Sequence, residues 1–150
     1  MNKLLTIVAV VLLMISASLF VSGQKKPAAR FDPNGSFWIS GKPPAEFSDF
    51  SAINLNTRNL RRLPKTGLQL NDGTTFRFRT LVVKQSNFSF TTDTKRGLSY
   101  SFAGKFLKGG DFAMTWSGEE TPVLEGTLTK FKDGQKVADA QLKFTYFGGT

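Results

Sequence analysis

The densest cluster of side chains able to grip another molecule is Arg58-Asn59-Leu60-Arg61-Arg62-Leu63-Pro64-Lys65. Arg58, Arg61, Arg62 and Lys65 could hold a phosphate, sulfate or carboxylate through paired N–H donors. The competing reading is a solvated loop between two strands. The acids offer less. Asp72, Asp93, Asp111, Asp133 and the pair Glu119-Glu120 sit in turn-like stretches. Glu125 and Asp139 fall on predicted strands, but a glycosidase needs two carboxylates facing across a cleft. Cross-strand pairing of each with a lysine is the simpler expectation.

The chain contains no histidine and no cysteine. Histidine is the usual general base at neutral pH. Zinc sites built on Cys or His, and Ser-His or Cys-His nucleophile pairs, are therefore out of reach. No Ser-x-x-Lys occurs beyond residue 23, no EF-hand spacing is present, and no glycine loop joins a strand to a helix. The expectation is a non-catalytic protein with no cofactor and no metal. Without disulfides, the core alone must supply stability.

Aromatic side chains are the remaining chemical signal. Beyond residue 23 there are 14 Phe, with Trp38, Trp116, Tyr100 and Tyr146. Most recur with a period of two, which puts them on one face of a strand. Leu98, Tyr100, Phe102 and Phe106 alternate with Ser99, Ser101, Ala103 and Lys105. Ala138, Ala140, Leu142, Phe144 and Tyr146 repeat the pattern, as do Phe112, Met114 and Trp116. Phe88 and Phe90 oppose Ser89 and Thr91, and Phe76, Phe78 and Val82 oppose Arg77 and Arg79. Strands with one apolar and one wet face suit antiparallel sheets.

Turn chemistry agrees. Asn71-Asp72-Gly73, Lys108-Gly109-Gly110-Asp111 and Lys132-Asp133-Gly134 carry residues suited to positive φ, and 93–97 reads as a five-residue hairpin loop. Gly104 and Gly126, inside strands, read as bulges or bends. The predicted strands are 36–40, 52–57, 67–71, 74–84, 86–92, 98–107, 112–117, 123–132 and 135–147. The fold class is therefore all-β: an antiparallel meander of about eight to nine strands, closed or nearly closed into a barrel. A two-sheet β-sandwich is the alternative.

Over residues 34–147 this strand pattern resembles the lipocalin-like, or calycin, barrels. Their mark is Gly-x-Trp on the first strand; here Gly35-Ser36-Phe37-Trp38 carries one residue more, and no C-terminal helix follows. The resemblance implies a β-meander that binds small hydrophobic molecules inside. Inward aromatics either fill a small barrel or line a pocket. The candidate lining is Trp38, Phe76, Phe78, Phe88, Phe90, Tyr100, Phe102, Phe106, Trp116, Phe144 and Tyr146, with the Arg58–Lys65 loop holding an anionic headgroup at the mouth. A small apolar or anionic amphipathic molecule is the expected partner.

Charge supports a second reading. Beyond Lys3, 19 Lys and Arg stand against 11 Asp and Glu, a net +8. Such a field favours acidic partners, and the alternative function is an envelope module using a basic surface against an anionic surface. Nucleic acid is not expected, because the rings that would stack bases face inward. An eight-stranded outer-membrane barrel, with aromatics toward lipid, is a third possibility.

Location comes from the first 23 residues. Lys3 precedes an apolar run from Leu4 to Val21, closed by Ser22-Gly23. This is the layout of a secretory signal, followed by a flexible basic leader over 24–33 and one domain over 34–150. Retention as an N-terminal membrane anchor is the alternative. The expected destination is periplasmic or extracellular. N-terminal sequencing of the exported protein should begin at Gln24; an intact Met1 in that fraction would show the run to be an anchor.

Overall fold

The computed structural model describes residues 31–56, 66–107 and 121–147. They form a single antiparallel sheet of nine strands. In chain order these are β1 (Gly35–Ile39), β2 (Phe50–Leu55), β3 (Gly67–Leu70), β4 (Thr75–Phe76), β5 (Phe78–Lys84), β6 (Asn87–Thr92), β7 (Leu98–Phe106), β8 (Pro122–Lys132) and β9 (Gln135–Phe147). Their order across the sheet is β4-β3-β2-β1-β9-β8-β7-β6-β5. The first strand thus pairs with the last, Phe37 opposite Tyr146 and Ile39 opposite Phe144. The two outermost strands are consecutive in the chain, separated only by Arg77. β4 pairs with β3, Leu68 opposite Phe76, and β5 pairs with β6, Phe78 opposite Thr92. One extended stretch therefore serves two neighbours and brings the sheet round into a near-complete barrel. A closing β1–β9 pair within one sheet is the barrel arrangement and not the sandwich.

The turns hold positive φ where the sequence places Gly, Asp or a polar residue. Asp133 and Gly134, at φ 51° and 79°, form a two-residue connection between Lys132 and Gln135. Arg96 and Gly97, at φ 51° and 76°, do the same inside the 93–97 loop, because Lys95 and Leu98 exchange both backbone hydrogen bonds at 2.8 and 2.9 Å. Paired positive φ values match the twist of the flanking strands.

The interior is aromatic. Phe37, Phe47, Phe76, Phe88, Tyr100, Phe102 and Phe144 are fully buried, with Ile53, Leu68, Leu124 and Leu128 among them. The outward rows are polar: Thr80, Thr91, Ser101, Thr129 and Asp139 stand opposite one another across five strands, and Lys84, Asn87, Lys105, Glu125 and Lys143 form another such row. An outer-membrane barrel would carry the rings toward lipid; this sheet carries them inside. Glu125 meets Lys105 across the β7–β8 pair at 3.3 Å, and Asp139 meets Lys136 on its own strand at 2.8 Å.

Four expectations need correction. Trp38 is 47% exposed and tilts against Phe147 on the outer face, ring centroids 5.0 Å apart. The extra residue in Gly35-Ser36-Phe37-Trp38 places Phe37 inward instead, since a one-residue offset reverses every side chain. Val82 is 52% exposed for the same reason: the register shifts between Phe78 and Thr80, so Leu81 and Val83 take the inner side. Gly104 and Gly126 are not bulges; they pair directly, and the register shifts lie elsewhere. The leader is already packed at Phe31, whose ring meets Phe106 edge-on at 5.2 Å, and Asp32 and Pro33 are buried.

The 1–23 signal, residues 24–30, the Arg58–Lys65 cluster, the predicted strand at 112–117 and Trp116 lie outside the described residues.

A Cβ on Gly104 would sit 2.1 Å from the Glu125 carbonyl and 2.7 Å from the Phe102 ring; one on Gly126 would sit 2.4 Å from the Ala103 carbonyl. Backbone cannot yield as a side-chain tip can. Gly104→Ala or Gly126→Ala should cost about 1–3 kcal/mol in urea unfolding, while Ser99→Ala on the outer face should stay within about 0.5 kcal/mol. Equal stability of the glycine variants and the wild type would contradict the close approach.

Candidate functional site

The connections around 40–49, 71–74, 93–97 and 133–134 gather at one end of the barrel. The link from β1 to β2 contains a 3-10 turn, Ala45–Phe47, whose Phe47 is fully buried and plugs this end. Lys130, from β8, fixes the plug. Its Nζ donates to the Glu46 carbonyl at 3.2 Å, pairs with the Asp49 carboxylate at 3.3 Å, and lies 5.9 Å from the centre of the Tyr100 ring.

Beside the plug is a cleft of about 620 Å³. Leu70, Phe76 and Leu98 supply its apolar surface; Asp49, Asp72, Arg77, Lys95 and Arg96 supply its charges; Gly73, Thr74 and Thr75 complete it. Four local features create it. The Asn71–Gly73 turn ends β3, with Gly73 at φ 81°. Asp72 caps that turn by accepting the Thr74 N–H at 2.8 Å. Arg77 occupies the point where the strand leaves β3 for β6, and its carbonyl accepts the Asp93 N–H at 2.9 Å. The Arg96-Gly97 turn projects Lys95 and Arg96 from the opposite wall. The Lys95 ammonium donates to the Thr75 carbonyl and lies 5.9 Å from the centre of the Phe76 ring.

The acids in this cleft already have partners in the chain. Asp49 has Lys130. Asp72 is held below the usual carboxylate range by the Thr74 N–H and hydroxyl, with Arg96 adding to the effect. Arg77 and Arg96 have no salt bridge among the described residues. Beneath the apolar surface, Tyr100 packs edge-on against Phe76 at 5.0 Å. It is 1% exposed, yet its hydroxyl has no hydrogen-bond partner among the described residues. Burial, then the negative charges of Asp49 and Asp72, push its phenol up to about 12.

The sequence-predicted lining residues that are described fall into four groups. Phe88, Phe90, Tyr100, Phe102, Phe106, Phe144 and Tyr146 are buried and in mutual contact, Phe90 stacking on Phe102 at 5.6 Å and 19°. Phe78 is half-buried against Phe90 at 4.6 Å. Phe76 alone among the candidates lines the cleft, and Trp38 stands outside the barrel. The anion-binding candidates Arg58, Arg61, Arg62 and Lys65 lie outside the described residues. Sequence reading missed Arg77, Lys95 and Arg96 as a group. The available signal was their placement beside turns, Arg77 shortly after Gly73 and Lys95-Arg96 within the 93–97 loop.

No protein-family model matches this chain, and no curated protein or solved structure matches it. The fold itself defines the class: a small antiparallel β-barrel with an aromatic interior, a largely polar exterior and, beside Phe47, an open cleft lined by charged residues.

The tyrosine carries a pH signature. Its folded-state pKa lies above the ordinary value of 10.0, so the folded protein holds this proton longer than the unfolded chain. That contribution to stability is complete below pH 10 and is lost as pH rises toward 12. Denaturation midpoints should fall over that interval in wild type, and Tyr100→Phe should fall less. Identical slopes for the two proteins would refute the assignment.

Proposed function

We propose that this chain is an exported, non-catalytic, lipocalin-like binding barrel that takes a small apolar or amphipathic molecule in the cleft beside the Phe47 plug. The cleft carries the reading. Its volume falls in the range of small-molecule sites, about 300–1,000 Å³, and it combines apolar walls with a few convergent polar groups. The barrel supplies a rigid frame, which limits the ordering cost on binding. Export follows from the apolar run and small-residue close of residues 1–23, and a domain stabilised without disulfides is compatible with it.

The location of the site departs from the family resemblance. The rings expected to line a central pocket pack against one another, so the ligand sits at the rim over Leu70, Phe76 and Leu98 and not among Phe88, Phe102 and Phe144.

Titration of the isotope-labelled protein with Nile red, a neutral apolar dye, should move the backbone amides of Leu70, Phe76 and Leu98. Thr74→Trp, which fills the cleft, should abolish those shifts while the remaining spectrum is retained. Shifts centred on Phe88 and Phe102, or none anywhere, would overturn the proposal.

A further inference from the structure

The cleft's charges define the ligand more closely. Deepening the reading above, and resting on it, we infer that the ligand is a compact aromatic acid whose oxyanion is held by Arg77 and Arg96.

Three observations lead there. First, the cleft's charges are unevenly used. Asp49 is bound by Lys130, Asp72 by Thr74, and Lys95 by the Thr75 carbonyl. Arg77 and Arg96 line the same cleft without a salt bridge among the described residues. Two guanidinium groups with unspent donors favour a planar oxyanion, which accepts two parallel N–H bonds from each fork. Arg77, Lys95 and Arg96 outnumber Asp49 and Asp72 along the cleft, and Lys130 pairs with Asp49, so the net charge favours an anion over a cation.

Second, the cleft has no depth for a long chain. Behind Phe76 stands Tyr100 at 5.0 Å, and the rings beyond it are in contact. An extended alkyl tail would have to part them. A body of one or two rings fits the 620 Å³ available. Third, the walls suit a flat ring. Phe76 offers an aromatic neighbour, and Arg77 and Arg96 can lay guanidinium planes against a ring face as well as bond its acid.

The anion site is thus formed by residues from the β4–β5 junction and the β6–β7 turn.

Calorimetric titration with 2-naphthoate, 2-naphthalenemethanol, 2-naphthylmethylammonium and decanoate tests the inference. Naphthoate should bind about tenfold tighter than the alcohol, the ammonium compound weakest, and decanoate weaker than naphthoate. Arg77→Gln and Arg96→Gln are exposed replacements that leave the core untouched. Each should weaken naphthoate about five- to tenfold and change the alcohol less than about twofold. Equal affinity for acid and alcohol, unchanged naphthoate binding in either variant, or tighter binding of decanoate overturns the inference, while the Nile red shifts at Leu70, Phe76 and Leu98 keep the binding reading intact. Loss of those shifts removes the binding reading, and this inference with it.

Discussion

Phe88 touches Phe90, Phe102 and Phe106, and Phe106 in turn reaches Phe37, which meets Tyr146. That chain of rings crosses the barrel from β6 to β9. Phe102 extends it through Phe144 to Phe50 on β2. With no disulfide to staple the chain, these contacts join strands that backbone pairing connects only around the circumference. Each aromatic pair adds about 0.5–1.5 kcal/mol beyond the area it buries. The network also imposes the glycine pair. The Phe102 ring tip lies over Gly104 and Gly126, where a Cβ would approach it to 2.7 and 2.6 Å. Large rings on neighbouring strands leave room only for a position without a side chain, a device used to cover glycines in strands.

A barrel packed this way has consequences at its ends. The sheet closes because one stretch serves β3 with Thr75 and Phe76 and β6 with the residues from Phe78 onward. A strand cannot face two neighbours without turning, and the register shift between Phe78 and Thr80 is where it turns. The β3–β4 pair is left only two rungs long. Here the wall is thinnest, and here the cleft opens. The same hand-over leaves Arg77 between two pairings, its carbonyl bonded to Asp93 and its side chain without a salt bridge among the described residues. Closure and cleft are products of one topological requirement.

The sequence made the alternating strands plain, because Leu98–Phe106 and Ala138–Tyr146 hold their period over many residues and most of the described turns carry Gly or Asp, Gln85-Ser86 between β5 and β6 being an exception. Strand pairing and barrel closure follow from short connections and the lack of helical periodicity. What alternation alone could not settle was its phase after an irregularity. Trp38 and Val82 were assigned to the wrong face by one residue each. Nothing in Thr75–Val83 announces that Thr80 opens a new register. The cleft was harder still. Asp49, Asp72, Arg77 and Arg96 are spread over 48 positions of sequence and meet only because three turns share one end. The orphaned Tyr100 hydroxyl could not be foreseen, since an inward tyrosine usually finds a partner.

Whether the interior is filled or hollow decides what such a barrel can bind. A hollow barrel can enclose an apolar ligand and gain from burying most of its surface. A barrel whose rings already touch would have to break contacts worth about as much as those a ligand could offer, so entry gains little. Recognition then moves to the rim, where apolar area is smaller and charge must supply more of the selectivity. The cleft has that balance of groups: Leu70, Phe76 and Leu98 are apolar, Arg77, Lys95 and Arg96 are cationic, and of the two acids Asp49 is paired with Lys130 while Asp72 accepts from Thr74 and feels Arg96. Lys130 has a double effect in this arrangement. By holding Asp49 and the Glu46 carbonyl it keeps Phe47 seated in the barrel end, and by neutralising Asp49 it leaves the positive charge of the cleft available to an incoming anion.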